Sequence, residues 1–380
     1  MTIIPTRLLR IPSPKMAFKP RFFDIGVNLT DSMFHGKYRD KHYHDKDLPE
    51  VLLRANYYNV DRILITGSSL KESGKILEII DEYKSCYEEF KGRLGQYKEI
   101  KDEDLLQPYC TIGVHPCSVK EFSKDSAGHI DQLRDLIRKG LNKGVVRAFG
   151  EIGLDYDRLY HASKSDQCKY FELQLKLACE FELPLFLHMR AACDDFIDII
   201  KPFLEGTRPD GLKLKNTTGV IHSFTGSITE LEKLEKLGFD FSVNGCSLKT
   251  NENLEVVKHI PLSKLHLETD APWCELKKSS ACFSLIAPQN STESQQKPSD
   301  NSKKPLKRYH PLLPIRMVNS DKLSKFQNED ASELPPVVKS RNEPCFMPII
   351  AQVMSKLLKV PEDEVIRTTY QNSCKLFKVD

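Results

Sequence analysis

The chain has 380 residues, 40% of them hydrophobic, which is enough for a sizeable core and excludes a largely disordered protein. Its 56 basic and 53 acidic residues leave a net charge of +3, so a nucleic-acid coat protein is excluded while a local basic cleft is not. Eleven cysteines without a single CxxC pair argue against a disulfide framework or a zinc ribbon and for reduced thiols inside a cell, in cytoplasm or nucleus.

Residues 1–20 carry Arg7, Arg10, Lys15 and Lys19, four prolines and no acid. They read as a disordered N-terminal extension, with mitochondrial targeting as the weaker alternative. Residues 21–380 read as one domain. Its first run, "FFDIGVNL" (22–29), alternates so that Ile25, Val27 and Leu29 share one face while Asp24, Gly26 and Asn28 share the other. Seven further apolar, β-branched runs follow: "RILITGSS" (62–69), "CTIGVHP" (110–116), "VRAFGEIGLD" (146–155), "PLFLHMR" (184–190), "TGVIHSFTG" (218–226), "DFSVNG" (240–245) and "LHLETDAPW" (265–273). Helical periodicity fills the intervals, for example at 69–90, 165–182 and 227–238, the last with Gly238 as its C-cap. Eight strands alternating with helices predict a (β/α)8 TIM barrel, and the absence of GxGxxG and GxxxxGK ranks a doubly wound sheet second. From about 279 to 340 the sequence turns polar and proline-bearing, which predicts a long flexible insertion after strand 8. Helical pattern resumes at 344–377 and is expected to close the barrel from outside. No run approaches the ~18 apolar residues of a membrane span.

Barrel enzymes build their sites at the C-terminal ends of the strands. Those ends here offer Asn28, Thr66, His115, Glu151, His188, His222, Asn244 and Asp270. His188 and His222 lie in hydrophobic strands, where a lone histidine is more often a hydrogen-bonded core residue. Glu151 is harder to place that way, because a carboxylate within an apolar strand needs a partner or a cation. Asp270 is similar, with Glu268 two residues earlier as the alternative ligand. One divalent-metal site formed by Glu151, His188, His222 and Asp270 is more economical than four separate explanations. His115 is either turn chemistry before Pro116 or an imidazole beside substrate. Arg190, on the same face as His188, is a candidate for gripping phosphate.

The set "FDIGVNLT", "TGSSLKES", "IGVHP", "GEIGLDYDR", "LHMR", "HSFTG", "ETDAPW", "RNEP" and "NSCKLF" resembles the TatD family, in that family's order, from Phe22 to Phe377. The resemblance implies a metal-dependent deoxyribonuclease on an amidohydrolase-like TIM barrel, acting as a 3′–5′ exonuclease on single strands or 3′ ends. It places the metal ligands on Glu151, His188, His222 and Asp270; Glu151 is expected to bridge or orient the metals, and Asp270 to hold the metal and accept the proton of the attacking water. Arg190, Arg341 of "RNEP", and His115 become secondary candidates for holding phosphate or base. In many such barrels strand one ends in His-x-His. Gly26 and Asn28 stand there instead, so one firmly held divalent metal and a second recruited with substrate are expected, with zinc, magnesium and manganese equally admissible. The basic stretch 301–310 reads as a solvated charge run. Two rivals remain: a barrel hydrolase of a small ester or amide, weakened by the lack of a strand-four lysine, and a non-enzymatic scaffold.

Overall fold

A computed structural model of the chain describes residues 18–286, 310–326 and 333–379. The readings of residues 1–17 and of the basic stretch 301–309 fall outside the described residues. Eight strands form one parallel sheet in strict sequence order: β1 (Phe22–Val27), β2 (Val60–Ile65), β3 (Gln107–Ile112), β4 (Val146–Asp155), β5 (Leu185–Arg190), β6 (Gly219–Ile221), β7 (Asp240–Val243) and β8 (Leu265–Leu267). Closure comes just past the end of β8, where Ala271 bridges to Val27 in parallel. There Asn28 N–H donates to the Ala271 carbonyl and Asp270 N–H to the Gly26 carbonyl, each at 2.8 Å. The (β/α)8 barrel read from the apolar runs is the observed architecture.

Around the sheet lie α1 (Leu48–Tyr57), α2 (Leu70–Ser85), α3 (Tyr87–Leu94), α4 (Ser126–Asn142), α5 (Lys164–Ala178), α6 (Cys193–Glu205), α7 (Ile228–Lys236), α8 (Asn251–Val257), the single turn α9 (Phe283–Ile286), α10 (Met347–Leu358) and α11 (Glu362–Phe377). Helix α7 starts with a capping box, in which Ser227 and Glu230 satisfy each other's backbone N–H groups. The helix expected over 69–90 is split at Cys86 into α2 and α3.

Phe23, Ile25, Leu64, Ala148, Phe186 and Val220 come from five strands and touch one another, which only the barrel lumen permits. Leu376 and Phe377 at the end of α11 join them, with Phe377 edge-on to Phe23 at 5.8 Å. The C-terminal helix therefore seals the floor of the lumen as well as packing on the outside of the barrel. The alternation expected for β1 does not hold through its length. Ile25 packs in the lumen cluster, whereas Val27 and Leu29 belong to the outer core. The cause is a register irregularity between Asp24 and Val27 against β2, which rotates the strand's end relative to its start.

The described parts of the 279–340 segment carry structure where the sequence predicts flexible chain. Met317–Val318 pairs in parallel with Val337–Val338. Ile315 and Val337 are buried against Cys345, Phe346 and Ile349. A few apolar residues inside a polar stretch were sufficient to anchor it.

Candidate active site

Glu151, Gly153 and Asp155 share one face of β4, and β5 runs beside it with His188 paired to Gly153. A Cβ at Gly153, at φ 142°, would lie 1.9 Å from the His188 carbonyl oxygen, so this close pairing requires glycine. The result is a carboxylate–imidazole cluster at the C-terminal mouth of the barrel. Glu151 Oε1 is its hub, 2.9 Å from His188 Nδ1, 2.6 Å from His222 Nε2 and 3.4 Å from His115 Nε2. On its other side His188 Nε2 meets Asp155 Oδ2 at 3.1 Å. His115 does both things the sequence left open: its Nδ1 accepts the Cys117 N–H and caps the following turn, while its Nε2 faces Glu151.

Asp270 lies three residues past β8 at φ 53°, a left-handed conformation that aspartate tolerates better than most residues. Asn28 Nδ2 donates to its Oδ1 at 2.8 Å and the Cys274 thiol to its Oδ2 at 3.2 Å. Asn342 holds the loop from behind: its side-chain amide donates to the carbonyls of Thr269 and Trp273, both at 2.8 Å, and its backbone N–H to that of Pro272. Behind His222 sits Glu268, fully buried. It accepts the Ser223 N–H at 2.8 Å and Asn244 Nδ2 at 3.0 Å, with Oε1 3.4 Å from His222 Nδ1. Gly26 makes room for it, since a Cβ there would stand 2.6 Å from Glu268 Oε2. Asp24, deeper still, accepts the Thr269 N–H at 2.8 Å.

Charge in this cluster follows from burial and neighbours. Burial pushes His115 down to about 3. Burial opposes charge on His222 as well, but Glu151 and Glu268 outweigh it and hold the imidazole well above its ordinary range. Glu151, despite burial, is held well below the usual carboxylate range by His222, His115 and His188. Asp270 is pushed up to about 6, first by burial and then by Glu268 and Glu151, against the pull of His222.

The donor set suits a divalent cation. Imidazole nitrogens and carboxylate oxygens are its usual ligands. Among the described residues, His222 Nδ1, Glu268 Oε2 and Asp155 Oδ1 are buried without a hydrogen-bond partner. Two overlapping triads, His115–Glu151–His188 and His115–Cys117–Asp155, each bring their ligand atoms within 4.8 Å of one another.

A family model described as TatD related DNase matches residues 23–378, from the lumen end of β1 to the end of α11. The chain belongs to the TatD-related DNase family. It is 37% identical to the Deoxyribonuclease Tat-D of Saccharomyces cerevisiae, over 94% of this chain and 91% of the relative. It is 30% identical to the 3′-5′ ssDNA/RNA exonuclease TatD of Erwinia amylovora, over 93% of this chain and 99% of that one. Among solved structures, an uncharacterized amidohydrolase from S. cerevisiae matches with a TM-score of 0.77 at 37% identity, over 94% of this chain and all of the other. Membership of the TatD-related DNases makes the chain a hydrolase of the deoxyribonuclease class and points to divalent-metal use.

Arg190 lies at the rim, one third exposed, with Nε 3.4 Å from Asp157. Arg341 is placed elsewhere. It is fully buried, its Nη atoms bound to Asp47 at 2.7 and 2.6 Å and to Glu343 at 2.8 Å, and its plane covers Phe34. None of these partners belongs to the cluster, so Arg341 is a structural ion-pair residue here and not a phosphate contact. Sequence reasoning passed over Asp155 and Asn342, named Asn244 only as a strand end, and weighed Glu268 only as the alternative to Asp270. The period of two from Glu151 to Asp155 was a legible signal for the first. Among the described residues no helix is long and apolar enough to cross a membrane.

Proposed function

We propose that this chain hydrolyses phosphodiester bonds from the 3′ ends of single-stranded DNA, using a divalent cation held by Glu151, His188, His222 and Asp270. The observation that supports it most is the convergence of His115, His188 and His222 on one Glu151 oxygen at the C-terminal mouth of the barrel. A divalent cation at such a centre makes water more acidic and neutralises charge on the non-bridging phosphate oxygens.

Glu151 orients the centre, since its Oε1 faces all three imidazoles. Asp270 accepts the proton of the attacking water: Asn28 fixes its Oδ1, and burial raises its proton affinity towards that of a neutral-pH base. Arg190 and His115 stand at the mouth to meet phosphate oxygens. A cavity of about 450 Å³ is lined by Trp273, Lys249, Lys277 and Cys274, whose thiol donates to Asp270. Its half-exposed indole suits stacking of an unpaired base and its lysines suit the backbone, which favours a single strand over a duplex. Glu151, His188, His222 and Asp270 would hold one cation firmly, and His115, Cys117 and Asp155 would be the further donors for a second recruited with substrate.

The test is digestion of a 5′-labelled single strand by metal-depleted protein re-supplied with magnesium, manganese or zinc, beside His222→Ala and Glu151→Ala. The expected result is a chelator-sensitive ladder shortening from the 3′ end, abolished in both variants. Chelator-insensitive cleavage, or full activity in either variant, overturns the reading.

A further inference from the structure

All eleven cysteines are unpaired thiols, yet two of them stand sulfur to sulfur. Cys246, three residues past β7, and Cys274, in the loop past β8, place their Sγ atoms 2.7 Å apart. That is inside van der Waals contact for two sulfurs and short of approach to a 2.05 Å bond only by a small rotation of the side chains. The backbone on each side is held. Cys246 N–H donates to Asn244 Oδ1 at 2.8 Å. Cys274 lies in the loop that Asn342 grips through Trp273. Both thiols are partly exposed and line the 450 Å³ cavity with Lys249 and Lys277, two exposed cations.

We propose that Cys246 and Cys274 form a dithiol modification site, closed to a disulfide by an anionic low-molecular-weight disulfide such as oxidised glutathione. The cavity is of a size that admits small molecules, and its lysines complement glutathione's carboxylates. The Cys246 thiolate attacks one glutathione sulfur, forming a mixed disulfide and releasing the first glutathione as a thiol. The Cys274 thiolate then attacks Cys246 Sγ and releases the second. Two protein thiols lose two electrons to one glutathione disulfide, and their two protons end on the two glutathione thiols.

Closure has a consequence at the proposed active site, and this part rests on the nuclease reading above. The Cys274 S–H that donates to Asp270 Oδ2 disappears when the disulfide forms. Among the described residues, Asp270 then keeps only Asn28 as a side-chain donor. The lost bond holds Oδ2 in place, and losing one positioning hydrogen bond to the carboxylate corresponds to roughly a tenfold fall in cleavage rate.

The experiment equilibrates the full chain in glutathione buffers of rising oxidised fraction, blocks free thiols, and maps peptides by mass spectrometry. The expected result is a cross-linked 246–274 peptide, two hydrogen atoms lighter than its parts, formed before other cysteines react and reversed by dithiothreitol. Failure to cross-link, or glutathione remaining on Cys246 without the second step, overturns the site. Cleavage is assayed in the same samples. It is expected to fall on oxidation in the native chain and to stay level in Cys246→Ser. A cross-link without a change in cleavage overturns the link to Asp270 alone, and absence of cleavage in the reduced protein counts against the nuclease reading while leaving the dithiol standing.

Discussion

Arg341→Met separates a structural from a substrate-binding arginine. Arg341 and Arg54 are both fully buried and face Asp47 and Glu343, so two positive charges balance two negative ones. Methionine fills much of the same volume but leaves Asp47, among the described residues, with only Arg54 Nη2, at 3.7 Å, as a cationic partner. Breaking a buried pair from one side costs about 3–5 kcal/mol, because the remaining carboxylate is buried and uncompensated. Unfolding entropy of about 2.1 cal/mol/K per residue gives a chain of 380 residues about 0.8 kcal/mol/K, so the melting temperature should fall by about 4–6 °C. Adding Asp47→Asn removes the stranded charge and should recover part of that loss. The assay is a thermal melt followed by circular dichroism, with KM for a single-stranded oligonucleotide measured well below the melt. An unchanged melting temperature with KM raised tenfold would show Arg341 gripping phosphate and refute the structural assignment.

Gly26→Ala should cost about 1–3 kcal/mol and most of the activity. The new methyl meets Glu268 Oε2, and Glu268 cannot swing away without giving up its bonds from Ser223 and Asn244; a fully active variant of native stability would contradict this. Glu151 and Glu268 raise the proton affinity of His222 against the effect of burial, so cation binding competes with a proton there. Loading the metal-depleted chain at pH 7 with a weak buffer and an indicator dye should show proton release that His222→Ala reduces, and no release would refute the raised proton affinity. Burial pushes Asp61 up to about 6 from 3.8 even with Arg21 and Arg62 beside it. A raised carboxyl favours the protonated fold, so its contribution is full below about pH 4 and is lost as pH rises through about 6. Asp61→Asn should flatten that stretch of the stability–pH curve, and an unchanged curve between pH 4 and 6 would contradict the shift.

The barrel was legible because each strand is buried on both faces and reads as a short apolar run. The meeting of Glu151, His188 and His222 was legible because polar side chains at the C-terminal ends of such runs point to one mouth of the barrel. Glu268 was weighed against Asp270 as though only one of them mattered. The structure uses both, Asp270 at the mouth and Glu268 behind His222, and a sequence does not show that two carboxylates two residues apart lie at different depths. The turn of β1 between Asp24 and Val27 was hidden for a similar reason, since a register irregularity belongs to the pairing with β2 and leaves no mark in the strand's own alternation. Arg341 carried the charge expected of a phosphate contact, but its partner Asp47 is 294 residues away in sequence, and only folding brings them together.

The grip of Asn342 on Thr269, Pro272 and Trp273 brings the chain back to the point from which it departed. The two described ends of the segment between Cys274 and Arg341 are therefore tied to each other at the barrel mouth. Closing such a loop costs only about 0.6 kcal/mol more for each doubling of its length. Evolution can lengthen, shorten or replace this excursion with little thermodynamic resistance and without moving Asp270, which makes it the natural place for members of the family to diverge.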